Sequence, residues 1–153
     1  MRKNYFLSLF LLMTAFWNVE ATDGSKSTAV TPLVAPSGIT ATAVGGSGTR
    51  INVLWADNSI DETEFEVAYT KVPTGYRTAT GPGSSGSIGG LTLTGLDPSS
   101  QYYISVRARR AFDGSTPTCT YSDPNTPNVG PPATKSVSCW SSVIRVSTNP
   151  LIP

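Results

Sequence analysis

Between residues 35 and 130, apolar side chains recur at every second position, and no stretch sustains the three-and-four spacing of a helix face. Ile51, Val53 and Trp55 form one such series, Phe65, Val67 and Tyr69 a second, Leu91 and Leu93 a third. Tyr102, Ile104, Val106 and Ala108 form the longest. Successive side chains of a strand point to opposite faces, so each series marks a strand with one face turned to a core. The same pattern predicts strands from Ile39 to Val44 and, as a short edge, from Tyr76 to Thr80. Gly45-Gly46-Ser47-Gly48 and Val72-Pro73-Thr74-Gly75 supply turns, and Gly81 to Gly86 reads as a loop. The prediction is an all-β chain.

The stretch LDPSSQYYISVRA, residues 96 to 108, fixes how two of these strands meet. Leu96 and Pro98 lie where the chain leaves one sheet, and Tyr102 starts the next inward series. A tyrosine so placed packs its ring in the core while its hydroxyl serves backbone groups of the turn a few residues upstream. Upstream, Trp55 ends one strand before an Asp-Asn turn, and Phe65-x-Val67-x-Tyr69 follows it. These landmarks, with Pro36 before and Ser105-Val106-Arg107-Ala108 after, make residues 35 to 130 resemble a fibronectin type III module. Residues 57 to 67 are similar to a loop found in such modules from bacterial secreted proteins. The resemblance implies an immunoglobulin-like, two-sheet antiparallel sandwich of about seven strands, with Trp55, Tyr69, Leu96, Pro98 and Tyr102 as structural residues. It places the last strand within Tyr121 to Val129, where Pro124 and Pro127 would break it, since proline cannot donate to a ladder.

A length of 153 residues suits one such domain with flanking segments. At the start, Arg2 and Lys3 precede an apolar run from Tyr5 to Trp17 and a small-residue end at Ala21. That order predicts a signal peptide over residues 1 to 21, too short an apolar run for a bilayer span of about 20 residues. Residues 22 to 34 then read as a Thr- and Ser-rich linker. Gly130-Pro131-Pro132 reads as a boundary, and residues 131 to 153 as a tail that folds back or begins a truncated segment. The chain carries 11 Lys and Arg against 10 Asp and Glu, so nothing draws it to nucleic acid or to an anionic membrane. With the leader removed, stable membrane insertion is not expected either.

Chemistry-bearing motifs are few. The chain has no histidine, which removes the commonest general base and metal ligand. The glycines of residues 81 to 86 match GxGxxG, but no helix follows to receive a phosphate, and a loop is the better reading. Asp57, Asn58, Asp61 and Glu62 offer oxygens without calcium-loop spacing, and turn capping accounts for them. Outward-facing Arg107 and Arg109 look like a basic strip, yet Glu64 and Glu66 on the neighbouring strand can pair with them. No enzyme and no cofactor is expected.

Two recognition surfaces remain. The loop from Arg110 to Thr120 carries Phe112, Asp113 and Gly114 at its tip, though no Arg-Gly-Asp sequence, and Tyr76, Phe112, Tyr121 and Trp140 could stack on sugars if exposed together. The expected role is a non-enzymatic module, secreted to an extracellular or periplasmic space, that spaces or binds proteins. The alternative is a carbohydrate-binding accessory module, so the expected partner is a protein or an extracellular glycan. Cys119 and Cys139 are the only cysteines; in an oxidising compartment they would bridge, holding the tail around Trp140 to the sandwich. Pairing with another chain, or two free thiols, are the competing readings.

Overall fold

A computed structural model of the protein describes residues 30–46, 48–72, 75–83 and 87–150. The predicted signal peptide and most of the predicted linker lie outside the described residues. Strands β1 (Ser37–Ala43), β2 (Ile51–Ala56) and β5 (Ile88–Leu93) form one antiparallel sheet in the order β1-β2-β5. The second contains β4 (Arg77–Pro82), β3 (Glu64–Thr70), β6 (Gln101–Ala111), β7 (Lys135–Val137) and β8 (Ile144–Ser147). Its order is β4-β3-β6, and both β7 and β8 pair with the far side of β6. The described residues form an all-β, two-sheet sandwich of eight strands. Gly81 and Pro82, expected in a loop, instead extend β4 because they continue its register opposite Phe65 and Glu64.

The period-two series meet between the sheets. Ile51, Val53 and Trp55 face Phe65, Val67, Ile104 and Val106, all at 2 % exposure or less. Trp55 and Phe65 pack with ring centroids 5.1 Å apart, a tilted geometry that suits the aromatic quadrupoles. The large indole requires a gap in the strand beside it. Gly89 stands opposite Trp55 in the β2–β5 register, and a Cβ added there would sit 2.2 Å from the indole nitrogen.

The last strand departs from expectation. No strand forms in residues 121–129; the sheet is completed by β7 and β8, beyond the expected boundary at Gly130-Pro131-Pro132. Two serines bridge the gap between them. Ser138 N–H donates to Ala108 O at 2.9 Å, and Ala108 N–H donates to the Ser138 hydroxyl at 2.9 Å. Ser141 treats Val106 in the same way, at 2.8 and 2.9 Å. Each hydroxyl thus stands in for a strand carbonyl, and the buried N–H groups of β6 stay bonded where the ladder is interrupted. The end of the predicted linker is likewise part of the fold: Leu33 is buried in the core, and Thr31 O accepts a bond from Arg110 at 2.7 Å.

Gly89→Ala is expected to cost about 1–3 kcal/mol, because a methyl pressed against the Trp55 ring overpacks the core. Urea denaturation of the two proteins measures this. Ser141→Ala removes the acceptor of the buried Val106 N–H, and a loss of about 1–3 kcal/mol is expected in the same assay.

Candidate recognition surface

The outer face of the five-stranded sheet is where sequence expectation and structure differ most. Glu66 lies opposite Arg107, and Glu64 opposite Arg109, as neighbours across β3 and β6. The two central residues are not solvated: Glu66 is 4 % exposed and Arg107 2 %. The cover is the long connection between β6 and β7, residues 112–134, which folds back over this face. Arg107 donates to Glu66 at 2.7 Å and to the carbonyls of Val129 and Gly130 at 3.0 Å each. Trp140 lies over its guanidinium, 4.2 Å from the ring centroid, a cation–π contact. Burial pulls the Arg107 pKa below its ordinary value, and the charge of Glu66 opposes that shift. With every side of the cation occupied, this buried pair is structural.

Other bonds tie the connection down. Cys119 and Cys139 are joined in a disulfide, with Cα atoms 5.6 Å apart. Trp140 N–H donates to the Tyr121 hydroxyl at 3.2 Å, and the Tyr76 hydroxyl donates to Asn125 O. Under the connection lies a cavity of about 250 Å³, walled mainly by Pro117, Tyr121, Pro127, Val129 and Trp140.

The aromatic residues considered for sugar stacking are therefore not gathered in the open. Trp140 is 5 % exposed with Arg107 on its ring, and the Tyr76 hydroxyl is engaged. Phe112 and Tyr121 are exposed, at 58 % and 47 %. In the predicted recognition loop, Asp113 serves the fold: it accepts bonds from Ser115 N–H at 2.8 Å, the Ser136 hydroxyl at 2.6 Å and Arg110 Nε at 2.5 Å. Gly114 turns the chain there with φ of 84°. Phe112 is left projecting from a braced loop.

The remaining predicted residues lie in the core or at the opposite end. Leu96 is buried, Pro98 and Tyr69 are half-buried, and the Tyr102 hydroxyl accepts a bond from Asp97 N–H at 2.8 Å. A cavity of about 300 Å³ opens beside this corner, between Tyr69, Arg77 and Leu96, with the Lys71–Asp97 ion pair at its rim. The acidic loop is occupied by structural bonds: Asp57 caps Ser59 N–H at 3.0 Å, Asn58 bonds Ala35 O at 2.8 Å, and Asp61 pairs with Arg110. Among the described residues, no three acidic or cysteine side chains gather to hold a metal, and no helix is long and apolar enough to cross a membrane.

This geometry is that of an immunoglobulin-like sandwich whose last connection straps one outer face. The family model of the fibronectin type III domain matches residues 34–121, more than half the chain, and the protein belongs to that family. Solved structures agree on the fold. The chain is similar to the fn3 domain of human collagen alpha-1(XX), with 15 % identity, TM-score 0.51, and 83 % of this chain and 95 % of that one covered. It is also similar to the third fibronectin III domain of human KIAA0343 protein, at 20 % identity, TM-score 0.51, and coverage of 84 % and 94 %. Against the FN1–FN3 domains of chicken CNTN1 the values are 14 % and 0.51, covering 77 % of this chain and 33 % of that one. Comparison with curated proteins gives no match. The family match stops at 121, inside the strap, and both strands that complete the sheet lie beyond it.

Asp113 yields a pH prediction. Hydrogen bonds from Ser115, then Ser136, hold its carboxyl well below the ordinary 3.8. A depressed folded pKa stabilises above the unfolded value and loses that contribution as pH falls from about 4 toward the folded one. Thermal midpoints measured between neutral and strongly acid pH should fall less steeply below pH 4 in Asp113→Asn than in the parent.

Proposed function

We propose that this protein is a secreted, non-enzymatic fibronectin type III module, of the kind carried by bacterial secreted proteins, that binds another protein through the braced loop at Phe112. The observation that carries this reading is the exposure of a large aromatic side chain, 58 % open, on a loop whose next residue is fixed by three partners. A loop already ordered loses little entropy on binding, and aromatic anchors on rigid supports dominate binding energy. The leader and the disulfide support export to an oxidising space. The sugar-binding alternative lacks a shared aromatic platform, since Trp140 is spent on Arg107.

The test uses the full exported chain as bait on the secreted and surface proteins of its host, with Phe112→Ala in parallel. Phe112→Ala should weaken capture of the partner by about tenfold or more. Its stability should stay within about 0.5 kcal/mol, as for an exposed site. A partner retained equally by both proteins overturns the assignment to this loop.

A further inference from the structure

Four strand edges bound the two sheets, and three of them carry something that blocks a further strand. β1 has a register shift between Ser37 and Thr40, with Gly38 at φ of 58°. β4 carries Arg77 and ends at Pro82. The β7–β8 edge is broken between 137 and 144, and β8 lies against β1. Charges, prolines, bulges and cover are the means by which sheets avoid pairing with other chains. β5 carries no charge, proline or bulge, and β4 approaches it at the inward-facing Leu91, beside Gly81. Its sequence, IGGLTL, holds no charge and no proline, and its register with β2 is unbroken from Ile88 to Leu93.

Asp57 N–H donates to Ser87 O at 3.0 Å, so residue 87 turns its backbone groups toward β2. Alternate residues of an antiparallel strand face the same side, so 89, 91 and 93 do likewise, and Ile88, Gly90 and Thr92 present N–H and C=O to the open edge. Among the described residues, no backbone bond runs from those three to an element other than β2. Their side-chain positions also lie on the outer face, where Ile88 is 70 % exposed and Leu54, in the register opposite Gly90, 51 %.

We propose that β5 is the contact between two copies of this chain, paired antiparallel about a two-fold axis at Gly90. That register sets Ile88 of each copy opposite Thr92 of the other and Gly90 opposite itself. All three residues have outward backbone groups, so each opposed pair exchanges two hydrogen bonds, about six in all. A slip of one residue would oppose groups already committed to β2 and is excluded by parity. At a two-fold axis every charge near the centre meets its own copy, and an uncharged strand is therefore suited to self-pairing rather than to a charged partner. The two three-stranded sheets merge into one, and Ile88 and Leu54 of both copies form a continuous apolar surface. This contact is independent of whatever the Phe112 loop binds.

Sedimentation velocity of the full exported chain over a concentration series should show a reversible monomer–dimer equilibrium. Thr92→Lys puts like charges beside the axis and should weaken dimerisation by about tenfold or more. Its thermal midpoint should stay that of the parent monomer, because Thr92 is exposed. Thr42→Lys, outward on β1, should leave the equilibrium unchanged. The double variant Ile88→Cys with Thr92→Cys should yield a covalent dimer under mild oxidation, whereas neither single variant should, because only unlike positions meet. A wild-type chain that stays monomeric throughout, a dimer indifferent to Thr92→Lys, or cross-linking by the single variants overturns the proposal.

Discussion

The outer half of this protein is organised by one buried cation. Arg107 cannot leave the face of the five-stranded sheet, because its strand position is set by the inward series on either side of it. Removing a guanidinium from water costs several kcal/mol unless bonds and an opposite charge replace the solvent. Glu66, two carbonyls and the Trp140 ring do so together. Each of these comes from a different part of the chain, so satisfying the cation also fixes β3, the strap and the last segment in place.

The last strand shows how far a ladder can be interrupted and still seal a sheet. Ser138 and Ser141 each lend a hydroxyl to a buried N–H of β6, and Ser105 donates to Ser141 O at 2.9 Å from the other side. Hydroxyls can accept in this way in irregular backbone, where a strand carbonyl cannot reach. The interruption has a use, for it brings Cys139 to Cys119 and Trp140 to Arg107. A regular strand would turn alternate residues to opposite faces and could not bring adjacent residues to both partners of the strap.

Much of the inner fold was legible in the sequence. Ile51-x-Val53-x-Trp55 and Tyr102-x-Ile104-x-Val106-x-Ala108 state their burial through spacing alone, and Leu96 with Tyr102 marks the corner between sheets. The Cys119–Cys139 bridge was legible from an even cysteine count read together with the predicted leader. The outer face was not legible in the same way. Period two says that Arg107 and Glu66 point away from the core, but not that a segment more than twenty residues later covers them. The last strand was missed because Pro124 and Pro127 correctly exclude a ladder, while the serines that replace one carry no hydrophobic signal. A Glu opposite an Arg, followed by a lone tryptophan beside a cysteine, is the pattern that could have pointed to the cover. The loop at Phe112 was visible as a turn, but Asp113 read as a contact residue when its bonds are internal.

The strand directions have a mechanical consequence. Thr31 lies beside Arg110 at one end of the sandwich, and Asn149 beside Ser99 at the other. Tension applied at these points runs along β1 and β8, so the β1–β2 and β6–β8 ladders are loaded in shear, with their bonds sharing the load rather than opening one by one. The disulfide also limits what rupture can release. It withholds the 20-residue span between Cys119 and Cys139, about 70 Å of extended chain, from any lengthening under load. Held at both ends, the domain would act as a short, stiff link with a capped extension.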